Sequence, residues 1–206
     1  WAVEDKAASD RELLLELFVR PESWGEPMLR EHILPRLVRR FAAEGDEPGL
    51  DACGRLLGSA AAPAARERVL AALDKGLEGR HLNGVPRSLI EPLERGSRED
   101  PDKAVLLRLL VRLGNGEARR RALEIAADSG KGEALRAASL GILAEAPEPA
   151  VVPAALEVLG QNGPESLLLA ALGALERFED ERIPGAVLER CRGGGERVRS
   201  RARGAL

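Results

Sequence analysis

Aromatic residues are the scarcest class in this sequence. The 206 residues include two tryptophans, three phenylalanines and no tyrosine, which together make up 2% of the chain. The core must therefore consist of leucine, alanine, valine and isoleucine. Because strands favour β-branched and aromatic residues, whereas alanine, leucine, arginine and glutamate favour helices, the composition predicts an all-α fold.

The sequence also lacks long apolar segments. It contains no apolar run of about 18 residues, so we predict no membrane-spanning helix and no membrane insertion. We predict no signal peptide in these residues, and because the chain starts at Trp1 rather than at methionine, we interpret it as a processed or excised product. The residues alone therefore leave the compartment unknown.

Residues that bind metals or act as nucleophiles are few. Cys53 and Cys191 belong to no CxxC or CxxCH motif, which excludes a metal knuckle and a covalent haem site. His32 has no second histidine at helical spacing and is interpreted as a surface residue, and His81 as a cation at a helix end. We predict no catalytic, cofactor-binding or metal-binding residue, and hence no enzyme activity.

Neither sign of charge dominates the chain as a whole. It has 31 basic and 34 acidic residues and a net charge of −3, which gives no reason to expect a nucleic-acid or membrane partner. The last 17 residues differ, because they hold six arginines and one glutamate. This arginine-rich helix supports an alternative function, nucleic-acid binding, although no aromatic residue for base stacking lies nearby.

The second half of the sequence contains a repeat of about 32 residues. Two sets of similar segments alternate there, at spacings between 31 and 33 residues. The first set is 133–143, 165–175 and 196–206, and the second is 122–125, 155–158 and 187–190. This periodicity predicts a unit of one helix, a turn, a second helix and a turn.

Helix pairs of this kind are expected to stack. A lone pair cannot bury both of its apolar faces, whereas stacking on neighbouring pairs buries them and produces an α-solenoid. The glycines in register, Gly141, Gly173 and Gly204, predict close helix approach, because a mid-helix glycine otherwise costs about 1 kcal/mol. Glycines after the second helices, at 130, 163 and 193–195, predict left-handed C-terminal caps.

We predict a single solenoid domain over residues 1–206, with eleven or twelve helices. Residues 102–206 form its regular part, in which the last repeat is truncated, and 1–101 form irregular helix pairs. A capping box at 9–12 opens the first helix, and Pro35 is expected to bend a long helix that starts at Pro27. Residues 96–101 are the most loop-like linker.

The closing segment ERVRSRARGAL resembles a helix of the short HEAT repeats, with their acid-x-Val-Arg-x-x-Ala-x-x-Ala-Leu pattern. The likeness implies an α–α superhelix, a HEAT-like solenoid of antiparallel helix pairs. It places Arg136 and Arg199 at the recurrent arginine of the family, with Glu133 and Glu196 before them. Leu168 stands at this position in the middle repeat, which interrupts the ladder.

A narrower resemblance rests on an early tryptophan, LPRLVRR at 34–40, and Val-Pro-x-x-Leu at 85–89 followed by short HEAT repeats. These features are similar to the helical segment of large multidomain proteins from planctomycete-type bacteria. In those proteins the segment joins a dehydrogenase-like β-propeller to a cytochrome c. The likeness implies an extracytoplasmic scaffold whose parent is a redox protein, while the segment itself carries no redox centre.

These observations predict a non-catalytic scaffold or protein–protein interaction module, a fragment of a larger multidomain protein. Its partners would be another protein or flanking domains of the same chain. Glu124, Glu157 and Glu189 repeat in register and are candidates for an acidic interaction surface. The alternative is a nucleic-acid-binding protein similar to HEAT-like DNA glycosylases, which would use the arginine-rich helix.

Overall fold

The computed structural model describes residues 10–80, 82, 84–145, 148–161 and 163–204. Within these residues it contains twelve α-helices and no strand, which confirms the all-α prediction and the expected number of helices. Two compact units meet in sequence between Leu113 and Gly114. The expectation that 1–206 form one domain with a truncated last repeat stays a prediction.

The first unit contains six α-helices, which are α1 (Arg11–Val19), α2 (Leu34–Glu44), α3 (Glu47–Ser59), α4 (Pro63–Gly76), α5 (Arg87–Glu99) and α6 (Ala104–Arg112). A 3₁₀ turn and a π-helical segment lie between α1 and α2, at Pro21–Trp24 and Leu29–Ile33. The second unit contains α7 (Gly116–Ala127), α8 (Glu133–Glu145), α9 (Val151–Gly160), α10 (Glu165–Leu175), α11 (Arg182–Gly193) and α12 (Glu196–Gly204).

Helix packing follows the same alternation inside each unit. In the first unit, α1 packs on α3 and α3 on α5, while α2 packs on α4 and α4 on α6. In the second unit, α7, α9 and α11 pack in succession, and so do α8, α10 and α12. Each unit therefore consists of two layers of helices, with buried leucine, valine and alanine side chains filling its core.

The closest pairs of consecutive helices in the second unit are α7 with α8, α9 with α10, and α11 with α12. The predicted repeat instead pairs α8 with α9 and α10 with α11, and these two contacts are less extensive. Only residues 194–195 separate α11 from α12. The hairpins are thus shifted by one helix from the predicted pairing.

Helix starts follow the expected chemistry at several places. The Asp46 side chain accepts a hydrogen bond from the Gly49 amide at 2.9 Å, and Asn115 caps α7 through the Ala118 amide at 2.9 Å. Just before Pro35, the helix widens into its π segment, in which the Leu34 amide bonds to the Leu29 carbonyl. A π turn suits this site because proline has no amide hydrogen and its ring crowds the preceding turn.

Two local predictions about helix ends are wrong. The linker expected at 96–101 is helical as far as Glu99. The glycines expected in left-handed caps, at 130, 163 and 193–195, have no positive φ, and the C-cap residues Asp128, Gln161 and Gly194 are extended. Left-handed glycines occur instead at positions 45, 79, 84 and 114 among the described residues.

The register glycines do not bring helices together. A Cβ added at Gly141 or Gly204 would meet no atom within 4 Å, and at Gly173 only the end of the Arg201 side chain. Close approach occurs in the first unit, where a Cβ on Gly54 would lie 2.4 Å from the Ser88 carbonyl. The three glycines that repeat in register therefore lie on the open side of their helices. The prediction that they allow close helix approach was wrong.

Candidate interaction surfaces

The acidic row predicted from the repeats lies on one layer of the second unit. Glu124 is on α7, Glu157 on α9 and Glu189 on α11, and all three side chains are exposed. Since these helices pack in succession, the three carboxylates share a layer. Only Glu124 has a recorded ion partner among the described residues, Arg120, at the 4.0 Å limit of a salt bridge.

Arg136, predicted from the family resemblance, is the most deeply buried cation described, with 6% of its surface exposed. Its Nε donates to the Ala126 carbonyl at 3.0 Å, and its Nη2 donates to the Gln161 side chain at 3.3 Å. These acceptors stand at the end of α7 and just after α9. Arg136 therefore bonds to one of the carbonyls that lack a helical partner at the end of α7, and also to the side chain of the residue that follows α9.

The other predicted ladder residues have different surroundings. Leu168 occupies the equivalent position on α10 and is buried, while Arg199 on α12 is exposed. Glu133 accepts a hydrogen bond from the Ser166 hydroxyl of α10, and Glu196 is exposed. The arginine position is thus not a continuous ladder in the described structure.

A different ladder, which sequence reasoning missed, links the helices of the α8–α10–α12 layer. Glu133 contacts Ser166 on the next helix, and Glu165 pairs with Arg197 at 3.8 Å on the one after that. In both cases the first residue of one helix contacts the second residue of the next helix in the same layer. The signal was present in the aligned segments, in which each opening glutamate is followed by a variable position.

Some of the C-terminal arginines contact acceptors within the unit, whereas others have exposed side chains. Arg190 donates to the Gln161 carbonyl at 3.3 Å, and Arg201 lies 2.7 Å from the Glu176 carboxylate. Arg192, Arg199 and Arg203 are exposed, and no ion pair within the described residues involves them. The open cations are thus concentrated at the end of α11 and on α12.

The acidic cluster at 178–182 lies at the start of α11. Asp180 accepts hydrogen bonds from the backbone amide of Arg182 at 3.0 Å and from its guanidinium at 2.8 and 2.7 Å. The guanidinium bond, with the backbone bond second, lowers the pKa of Asp180 to about 2. The carboxylate is therefore ionised and already occupied, which suits a cap better than a general acid.

The cysteines and histidines do not form a reactive cluster among the described residues. Both cysteines are free thiols, and Cys53 is buried and donates to the Val38 carbonyl at 3.5 Å. Burial, reinforced by the nearby Glu44 carboxylate, raises the pKa of Cys53 and keeps it protonated. His32 is exposed, as predicted, whereas His81 lies outside the described residues.

The first unit contains a groove that the sequence did not reveal. Its cavity of about 120 Å³ lies between α3, α4 and α5 and the start of α6. Leu57, Leu70 and Pro92 line it on the apolar side, and Arg66, Arg95 and Glu99 on the polar side. Arg66 and Glu99 pair at 3.6 Å, so the two charges largely compensate each other.

Across the described ranges, no group of three or more histidine, cysteine, aspartate or glutamate side chains could hold a metal ion. None of the helices in the same ranges has both the length and the apolar character needed to cross a bilayer. Comparison with models of known protein families found no match, and comparison with curated proteins found none either.

Proposed function

We propose that this chain is a non-catalytic α-solenoid of HEAT-like helix pairs that acts as a scaffold or protein–protein interaction module. The observation that supports this function is the alternating packing in both units, in which every second helix stacks on the same layer. Such layers expose rows of equivalent side chains, and repeat proteins use these rows as extended binding surfaces.

In this proposal the layer formed by α7, α9 and α11 receives the partner. Glu124, Glu157 and Glu189 present carboxylates from three successive helices, and Leu188, 44% exposed, adds an apolar contact beside the last of them. Exposed carboxylates next to an exposed leucine suit a partner surface with cations around an apolar residue.

The narrower resemblance adds a second level to the proposal. On that likeness the chain is the connecting scaffold of a bacterial multidomain redox protein and works outside the cytoplasm. Its role would then be to space a β-propeller domain and a cytochrome domain, which are partners within the same polypeptide.

Site-specific photo-crosslinking tests the binding layer. A photoreactive residue replaces Glu157 or, as a matched control on the other layer, the exposed Ala134 of α8. We expect adducts to one identified protein or domain from position 157 and not from 134, and weaker capture of that partner by the Glu157→Lys variant. Equal adducts from both positions, or none from position 157, would contradict the proposed surface.

The alternative function, nucleic-acid binding, draws support from the exposed Arg192, Arg199 and Arg203. It predicts that duplex binding weakens with salt, with log K falling by about 0.9 per log unit of salt for each phosphate contacted. A scaffold predicts no salt-sensitive retention. Filter binding of a labelled duplex at salt concentrations between about 50 and 200 mM, an interval over which phosphate-contacting proteins lose much of their affinity, therefore separates the two functions.

A further inference from the structure

The arginines of α12 fall on two flanks of the helix. Val198 and Ala202 are buried, and at 100° per residue the i,i+4 pairs Arg197/Arg201 and Arg199/Arg203 lie on opposite sides of this buried stripe. The arginines that alternate in the sequence therefore form two separate charged edges of α12, a first edge with Arg197 and Arg201 and a second edge with Arg199 and Arg203.

The first edge is neutralised inside the unit. Arg201 pairs with the Glu176 carboxylate at 2.7 Å, and Arg197 approaches the Glu165 carboxylate to 3.8 Å. Both carboxylates come from α10 or the residue directly after it, the helix that packs beside α12 in the same layer. On this edge, each of the two arginines thus forms an ion pair with a carboxylate from the neighbouring helix or from the residue directly after it.

The second edge has no such neighbour among the described residues. Arg199 and Arg203 are both exposed and form no ion pair there. Like charges four residues apart destabilise a helix, so this pair gains from an added anion. Exposed Arg192 on α11 adds positive charge in the adjacent segment, and the acidic side chains in these segments are the exposed Glu189 and Glu196.

The equivalent positions on α8 and α10 show which contacts the corresponding edge makes in the earlier repeats. Arg136, at the position of Arg199, donates to a carbonyl and to an amide oxygen. Leu140 and Leu172, at the position of Arg203, are fully buried. Because α12 carries arginine at both positions, a surface that covers it has to supply oxygen acceptors rather than apolar side chains.

We propose that the Arg199/Arg203 edge of α12 is a docking site for an acidic segment of a partner protein, which supplies two carboxylates as Glu165 and Glu176 do on the other edge. This inference rests on the proposed function as an interaction module and names a second surface and its partner chemistry. Planar guanidinium groups match carboxylates in paired, charge-assisted hydrogen bonds.

Other occupants fit the edge less well. Single-stranded nucleic acid is held by aromatic stacking together with cations, and the described residues of α11 and α12 include no aromatic residue. A second copy of the chain offers Glu165 and Glu176 only by giving up the ion pairs that they already form. A separate acidic segment has neither disadvantage.

Fluorescence anisotropy with the full chain tests the site. The probe is a labelled peptide of alternating glutamate and alanine pairs, and its glutamine counterpart and a single-stranded oligonucleotide of equal length are the comparisons. The variant R199Q/R203Q removes the edge, and R36Q/R87Q removes two exposed arginines of the first unit as a matched control. We expect the first variant to weaken peptide binding about five- to tenfold at low salt, consistent with two surface ion pairs, and the control to leave it unchanged.

Four results would overturn the proposal. Equal weakening by both variants would show binding through net charge alone, and tighter binding of the oligonucleotide would identify a nucleic-acid site. Salt-sensitive dimers that disappear in R199Q/R203Q, measured by light scattering, would identify a second copy as the occupant. If the peptide fails to bind while crosslinking from position 157 persists, only this inference fails, and the proposed function stands.

Discussion

At the scale of single residues, some glycines are required by close packing between helices, whereas others lie where a larger side chain would fit. A Cβ at Gly54 would lie 2.4 Å from the backbone of Ser88, so the contact between α3 and α5 depends on the missing side chain. Gly141 on α8 is exposed, with open space where its Cβ would stand. The same residue type therefore has opposite energetic meaning at the two sites.

Gly141→Ala should stabilise the chain by roughly 0.5–1 kcal/mol, because alanine restricts the unfolded backbone and favours the helix. Gly54→Ala should destabilise it by roughly 1–3 kcal/mol through overpacking against a backbone that cannot move aside. Urea denaturation followed by circular dichroism measures both free energies of unfolding. A loss of stability in Gly141→Ala would mean that α8 is covered on this side.

At the scale of helices, Arg136 stabilises the second unit by joining α8 to the ends of its neighbours. Arg136→Ala removes the bonds to the Ala126 carbonyl and to Gln161, and should lower the free energy of unfolding by roughly 2–3 kcal/mol. Arg199→Ala, at the equivalent but exposed position, should change it by less than about 0.5 kcal/mol. Chemical denaturation of the two variants side by side provides the comparison.

Similar losses in the two variants would show that the buried contacts of Arg136 contribute nothing beyond its charge. A small loss in Arg136→Ala alone would indicate that water replaces the guanidinium at the two helix ends. Either result would contradict its assignment as the residue that joins α7, α8 and the end of α9.

The helices themselves could be predicted, because helix formation depends on local composition and on caps that are close in sequence. Leucine and alanine periodicity, with proline near helix starts, located most of them. The linker at 96–101 was misjudged because Gly96 and Pro101 suggest a loop, whereas the segment to Glu99 continues the helix. Tertiary packing overrides the weak local preference of a single glycine.

The environment of equivalent positions could not be predicted in the same way. Arg136, Leu168 and Arg199 align in sequence, but the first is buried against helix ends, the second is buried, and the third is exposed. Burial depends on which helix covers each position, and that is a long-range property. Glu124, Glu157 and Glu189 are exposed in the structure, and their role as a binding surface stays a prediction.

At the scale of the whole molecule, the pairing of the helices decides where the chain can be divided. The sequence repeat suggests a boundary before Glu133, at the start of α8. The structure instead pairs α7 closely with α8, and Arg136 on α8 bonds to the Ala126 carbonyl of α7. A cut at residue 114 keeps this pair intact, whereas a cut at residue 133 separates it.

Residues 114–206 should therefore fold on their own and melt cooperatively, because the alternating contacts from α7 to α12 stay complete. Residues 133–206 should lose more helix than the 12 residues of α7 and melt at a lower temperature, since α8 and α9 lose the helix they pack on and Arg136 loses an acceptor. Circular dichroism of both fragments, normalised per residue, makes the comparison. Equal helicity and melting temperature would show that the sequence repeat, with α8 as its first helix, is the true stacking unit.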